Sequence, residues 1–300
     1  MDMNQPNVIE TSAAARAAGT LGRDRSIGAI LIDAGRLDVE SAERIIREQK
    51  AKGLRFGDAA IELGLLKQSD IDFALARQFD YPYLNASDET VSPQLVAAFN
   101  PFSPAVEQLR ALRSQLMVRW FAEDPSQKAL SIVSPDRGDG RSYIAANLAI
   151  VFSQLGERTL LIDADLRNPS QDKLFKLDPR APGLSAVLSG RANGEAVVRI
   201  PSLVGLSVLP AGAVPPNPQE LLSRPQFSRL IEQASKSFDA IIIDTAAAST
   251  GADAQVASAR AGASLLVARR DYTATEQLHA LIASLRGSSA QLLGSVLNAY

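Results

Sequence analysis

Between Ser131 and Ser142 the chain reads Ser-Ile-Val-Ser-Pro-Asp-Arg-Gly-Asp-Gly-Arg-Ser. A β-branched apolar run meets a glycine-rich turn, then a basic residue and a hydroxyl, and a helical pattern follows from Tyr143 to about Leu155. A buried strand feeding a helix in this way is the opening of a βα unit and points to a parallel sheet. The turn has the make-up of a phosphate-binding loop. Its glycines let backbone N–H groups approach an anion, and the helix N-terminus adds positive potential. In such a loop Gly138, Asp139, Gly140, Arg141, Ser142 and Tyr143 surround the phosphates, with the basic residue at the terminal phosphates and the hydroxyl on Mg²⁺. The pattern G-x-x-x-x-G-K-[ST] is met only in part, because Pro135 stands at the first glycine and Arg141 at the lysine. An ordinary strand–turn–helix junction is the other reading of these residues.

Two later segments bear on that choice. Thr159-Leu-Leu-Ile-Asp163-Ala-Asp165-Leu-Arg167 reads as a buried strand ending in two carboxylates, and Ala240-Ile-Ile-Ile-Asp244-Thr245 as another ending in one. Ligands of open parallel sheets bind beyond the carboxyl ends of the strands. Asp163, Asp165 and Asp244 are therefore expected at the same edge as the loop. Phosphates beside three carboxylates require a cation, for which Mg²⁺ is the hard, oxygen-seeking choice. Strand-end aspartates that only cap helices are the alternative. Further strands are predicted near Leu130–Val133, Leu206–Leu209, Ser264–Ala268 and Leu292–Leu297. The fold class is thus α/β, a mainly parallel sheet flanked by helices, over residues 105–300.

Composition sets outer limits. The 300 residues suffice for one large domain and one small one. A formal net charge of −2 gives no electrostatic reason to expect a nucleic-acid polymer as partner. The chain has no cysteine and one histidine, His279, which excludes disulfides, thiol chemistry and a histidine metal cluster. No hydrophobic signal core is evident at the start, and the protein is expected to be cytoplasmic.

The N-terminal third is organised differently. Residues 1–24 read as a disordered tail. Residues 25–84 contain a tandem repeat with an offset of 29: Gly28 and Gly35 recur as Gly57 and Gly64, Leu37 as Leu66, and Gln49 as Gln78. Each copy reads as a short helix, a glycine turn and a longer helix, with Asp38 and Ser69 placed to cap the longer ones. Residues 85–104, rich in Asn, Ser, Asp and Pro, read as a linker. A helix is predicted from about Ala105 to Trp120, with Glu107, Arg110 and Arg113 near one face.

Taken together, Glu107-x-x-Arg110-x-x-Arg113, the loop Gly138–Ser142, Leu161-Ile-Asp-Ala-Asp-Leu-Arg-Asn-Pro169, Leu209-Pro-Ala-Gly212, Pro215-Pro-Asn-Pro-x-Glu-Leu-Leu222, Ile241-Ile-Ile-Asp-Thr245 and Gly294-Ser-Val-Leu-Asn298 resemble, in order, the motifs of bacterial tyrosine kinases of capsule and exopolysaccharide synthesis. The arrangement is most similar to the EpsG-like chain-length determinant kinases of the P-loop class that also holds the MinD and ParA ATPases. The signature lysine of the latter is absent, since its place is Asp136. The tandem repeat, ending in Tyr81-Pro-Tyr-Leu84, resembles the N-terminal domain of type II secretion and pilus ATPases, some of which bind cyclic di-GMP.

The resemblance implies an ATP- and Mg²⁺-dependent tyrosine (auto)kinase that regulates exopolysaccharide polymerisation, chain length or export. In it Ser142, Asp165 and Asp244 serve the metal, Asp163 accepts the tyrosine proton, and Arg141 completes the catalytic set. Glu107, Arg110 and Arg113 pair between subunits of a ring. The partner is a membrane polysaccharide co-polymerase, which recruits the protein to the inner face of the membrane. An ATP-binding pseudokinase scaffold and a MinD/ParA-like ATPase are the alternatives. The family's tyrosine-rich tail is missing, and Tyr300 is left as the one terminal phosphoacceptor. For the repeat, cyclic di-GMP binding stands beside a docking module whose glycines only make turns and close packing.

Overall fold

The computed structural model describes residues 26–79, 82–85, 87–122, 124 and 126–299. The tail read over 1–24 and Tyr300 lie outside the described residues. The chain divides into two compact units, with the division between Pro82 and Tyr83. No described helix is long and apolar enough to cross a membrane.

Among the described residues of the first unit, four helices form: α1 (Ile27–Asp33), α2 (Val39–Lys52), α3 (Phe56–Glu62) and α4 (Gln68–Gln78). Their starts repeat the sequence offset, since α3 begins 29 residues after α1 and α4 begins 29 after α2. Asp38 caps α2 by accepting the Ser41 N–H at 2.7 Å. Ser69 does not cap α4. The N-cap position is Lys67, whose own N–H donates to Asp70 at 3.0 Å, which draws the helix start two residues earlier. Gly28 faces the Phe56 ring and Gly57 faces Ile71, so each glycine gives neighbouring side chains room to pack.

The second unit is a seven-stranded sheet of order β3-β4-β2-β5-β1-β6-β7. Its strands are β1 (Ala129–Val133), β2 (Thr159–Asp163), β3 (Val198–Arg199), β4 (Leu206–Leu209), β5 (Ala240–Asp244), β6 (Ala263–Arg269) and β7 (Gln291–Asn298). All pair in parallel except β3, a two-residue edge strand antiparallel to β4. The six predicted strands form, whereas β3 is too short and polar to register as a pattern. Helices cover both faces, and alternation sorts the strand residues between them. Leu130, Ile132, Leu161 and Ile242 pack beneath α6 (Pro104–Leu116) and α7 (Arg141–Gln154). Ile162, Ile241 and Ile243 pack on the opposite side against Phe227 of α11 (Pro225–Ser237) and Ala257 of α12 (Asp253–Ala261). Helix α7 runs through the core and is buried from Ile144 to Ser153, so it carries no polar stripe.

Residues 85–104 are not a free linker. Val91, Leu95, Ala97 and Ala98 are buried in the core of the second unit, and the Ala97 N–H donates to the buried Asn147 of α7 at 2.9 Å. Four apolar side chains override the polar composition of the segment. The predicted helix beyond it stops as α-helix at Leu116. It then widens into a π-turn, Met117–Phe121, which places Trp120 to donate to the Ala129 carbonyl at 3.0 Å.

Candidate functional site: a phosphate-type loop with a carboxylate floor

The loop leaves β1 at the centre of the sheet and enters α7. Its shape comes from two glycines in the left-handed region, Gly138 at φ +84° and Gly140 at φ +94°. At Gly140 a Cβ would fall on the Asn298 carboxamide, so backbone and neighbour both require glycine there. The loop is held from below. Buried Asp139 accepts the Asp136 N–H at 2.8 Å and the Thr273 hydroxyl at 2.6 Å, while Asn298 donates to the Asp139 carbonyl at 3.1 Å. At its rim, Tyr272 donates to the Arg137 carbonyl and Arg269 to that of Gly138, each at 3.3 Å. The result is a cleft of about 270 Å³ lined by residues 137–143 together with Asp165, Asn168 and Ser170.

The carboxylates follow from strand register. Asp163 and Asp244 are paired neighbours at the ends of β2 and β5, and the Ala164 N–H donates to the Asp244 carbonyl at 2.8 Å. Asp165 lies two residues beyond, at the cleft floor. Its Oδ1 accepts the N–H groups of Arg167 and Asn168 at 3.2 and 2.9 Å. The three predicted carboxylates are therefore together at the carboxyl edge of the sheet, as expected. Arg167 turns away and pairs with Asp253 at 2.9 Å.

Two side chains differ from their expected places. Asp163 is fully buried and clamps backbone. Its Oδ1 accepts the Asp165 N–H at 3.1 Å, and its Oδ2 accepts those of Ser170 and Gln171 at 3.0 Å each. It lies beneath the cleft lining rather than in it, as Asp244 does. Burial, reinforced by the charge of Asp244, pushes its pKa up to about 8 against those backbone donors. The Arg141 guanidinium is turned onto the carboxylates. Only 7% exposed, it donates to the Ser134 hydroxyl at 2.8 Å and to Asp165 Oδ2 at 3.0 Å, with Nε 3.4 Å from Asp244 Oδ1. The Asp244 carboxyl is likewise raised by burial. The Arg141 charge, the Gln171 amide at 2.8 Å and the Ser142 hydroxyl oppose that shift.

Gln171 is a site residue that the sequence reading missed. It is buried under the cleft, bonded to Asp244 and to the Ser142 carbonyl at 3.2 Å, and a glutamine two residues after Asn-Pro carries no signal of such a place. Tyr143 lines the cleft and packs its ring on the core. On α6 the expected intersubunit residues are engaged within the chain. Arg110 pairs with Glu107 at 2.9 Å, and Arg113 donates to the Val151 carbonyl at 2.8 Å. Glu107 is 71% exposed at its side chain.

The chemistry of this donor set fits a nucleotide phosphate chain, and its carboxylates would fit Mg²⁺ once the Arg141 guanidinium leaves them. A hydroxyl and two carboxylates converge, and Asp244 Oδ1 accepts no hydrogen bond although buried. Ser142, Asp165 and Asp244 would hold the ion, and the loop N–H groups the phosphates.

Residues 129–293 match the family described as cellulose biosynthesis protein BcsQ. The tyrosine-protein kinase YwqD of Bacillus subtilis is 36% identical over 204 residues, 68% of this chain and 85% of that protein. A putative tyrosine-protein kinase of the Klebsiella pneumoniae cps region is 30% identical over 261 residues, 85% of this chain but only 35% of the relative's own length. Among solved structures, the kinase domain of the Escherichia coli tyrosine kinase Etk aligns with a TM-score of 0.66 and 30% identity over 73% of this chain and 85% of that one. Matching the greater part of YwqD at this identity, this chain belongs to the bacterial tyrosine-protein kinase family.

Proposed function

We propose that the protein is an ATP-dependent protein tyrosine (auto)kinase that regulates exopolysaccharide polymerisation, chain length or export. The observation that carries this is the cleft. Left-handed glycines shape a phosphate cradle at the sheet's carboxyl edge, with Asp165 in its lining and Asp244 buried beside Arg141. Transfer between phosphates and tyrosine depends mostly on positioning and charge neutralisation. The loop N–H groups and the α7 N-terminus supply positioning, Gln171 holds Asp244, and Asp139 holds the loop. A bound Mg²⁺ would supply the charge neutralisation. The family names support tyrosine as the acceptor, with Tyr300 as the candidate in this chain.

The test is incubation with Mg²⁺ and γ-labelled ATP, alongside Asp165→Asn and Tyr300→Phe. Label on protein tyrosine in the wild type that disappears in Asp165→Asn supports the kinase. Loss in Tyr300→Phe identifies the acceptor. Nucleotide binding with no label and no free phosphate supports the second reading, an ATP-binding scaffold whose nucleotide state controls assembly. The placement of Arg141 on both carboxylates favours that reading. Free phosphate without label would support a MinD/ParA-like ATPase.

Assembly into a ring is proposed to use the exposed Glu107 edge of α6. Arg110 steers that carboxylate, and Arg113 ties α6 to α7. Glu107→Lys should then abolish any nucleotide-dependent oligomer in light scattering without altering the fold. The partner is a membrane co-polymerase that recruits the protein from the cytoplasm to the membrane. For the first unit we favour docking over cyclic di-GMP, because Phe56 and Ile71 already fill the space at Gly28 and Gly57. Calorimetry of the whole protein with cyclic di-GMP should show no heat well above micromolar concentration.

A further inference from the structure

The loop has the backbone of a phosphate cradle, yet the one cation at its end is spent on the floor beneath it. Among the described residues, Arg141 is the only cation that forms an ion pair with Asp165 or with Asp244. Its three nitrogens divide the work. One reaches Asp165, one lies against Asp244, and one is fixed by Ser134, whose hydroxyl in turn donates to the Asp136 carbonyl at 3.0 Å. A planar fork can span two carboxylates and a hydroxyl in this way, whereas an ammonium is a single point charge. These two carboxylates are the oxygen donors suited to Mg²⁺, and Asp244 Oδ1, which bonds to nothing else, faces the guanidinium.

We propose that Arg141 is a tethered counter-ion standing in the place of the divalent cation, so that the loop takes nucleoside di- and triphosphates without Mg²⁺. The proposal rests on the reading of the cleft as a nucleotide site. Two positive centres between the same buried carboxylates repel each other strongly where water does not screen them. The guanidinium and the metal therefore compete. The loop N–H groups and the α7 N-terminus remain free to bind the phosphates in either state. Binding is in this way separated from transfer, which requires the guanidinium to be withdrawn.

The experiment measures the affinity of whole protein for fluorescent N-methylanthraniloyl ADP and ATP in EDTA and in excess Mg²⁺. For the wild type, the two dissociation constants should differ by less than about threefold, and in Arg141→Lys Mg²⁺ should tighten binding by about tenfold or more. A tenfold or larger effect of Mg²⁺ on the wild type overturns the proposal and leaves the nucleotide site standing. No nucleotide bound in either condition overturns the nucleotide reading itself, and the proposal with it. Because Arg141→Lys disturbs a buried cluster and can fail to fold, a second measurement uses the wild type alone. Paramagnetic Mn²⁺ is titrated against its ADP complex. Free Mn²⁺ signal throughout supports the tethered counter-ion, and one tightly bound Mn²⁺ per nucleotide overturns it.

Discussion

The two units use the same ionic chemistry in opposite settings. In the helical repeat, Arg36 pairs with Asp70 at 3.0 Å and Lys52 with Glu48 at 2.7 Å, all with side chains open to water. In the P-loop unit, Arg141 meets Asp165 and Asp244 almost fully buried at the floor of the cleft. A pair in water gains little, because solvent already satisfies both partners and salt screens them. A buried cluster has no such alternative. Each charge depends on the others, so removing one leaves a penalty far larger than the intact contact was worth. The repeat is therefore held by its apolar packing, Leu31, Ile45, Ala59 and Ala60 among it, and its charges decorate it. The kinase-like unit has charge built into its core.

That contrast is broken most severely at Arg141. Arg141→Ala strands two carboxylates and should destabilise the second unit by about 3–5 kcal/mol. The single tryptophan, Trp120, lies buried in that unit, so urea melts followed by its fluorescence report there. Next comes Gly140→Ala. The new methyl displaces the Asn298 amide and holds alanine at φ +94°, for an expected loss of about 1–3 kcal/mol. Because the loop loses its clamp on Asp139, nucleotide affinity should fall in the same variant. Unchanged binding there would mean that the cradle tolerates a different backbone.

Legibility in the sequence divides along the same line. Backbone features were readable because they are local. Six strands announce themselves as apolar runs, the loop by its glycines, and the repeat helices by an offset of 29 that the structure repeats. Convergence of Asp163, Asp165 and Asp244 followed from strand ends alone. What sequence could not convey was the direction of side chains. Whether Arg141 reaches up to phosphate or down to carboxylate depends on Ser134 and on Asp244, 103 positions further along, and no local pattern encodes that choice. The burial of Asp163 depends likewise on Ser170 and Gln171 folding back across it. Polar composition misled over residues 85–104, where a few apolar side chains decide the outcome.

A third prediction uses pH to sharpen the contrast. Asp163 has its folded pKa raised from 3.8 to about 8, so the folded state holds a proton that the unfolded state releases. Its contribution is complete below the unfolded value and is lost as pH rises through the folded one. The stability advantage of wild type over Asp163→Asn should therefore shrink with rising pH across that window. One proton accounts for at most about 1.4 kcal/mol per pH unit. Melts in EDTA from pH 5 to 8 test this. An advantage that grows with pH would mean that Asp163 is ionised and that its three N–H donors outweigh its burial.

The smallest expected effect lies in the repeat. Arg36 pairs with Asp70 and lies 4.0 Å from the Phe73 ring centroid, so Arg36→Ala removes an exposed ion pair and a cation–π contact together. The loss should be about 1 kcal/mol or less. Salt then separates the two settings. At 1 M the screening length is about 3 Å, which weakens an open pair and barely touches an enclosed one. Arg36→Ala should approach the wild type in urea melts at high salt, followed by helical circular dichroism, while the deficit of Arg141→Ala in tryptophan fluorescence persists. If both deficits shrink alike, water reaches the Arg141 cluster, and the distinction between a decorated unit and one with charge in its core is lost.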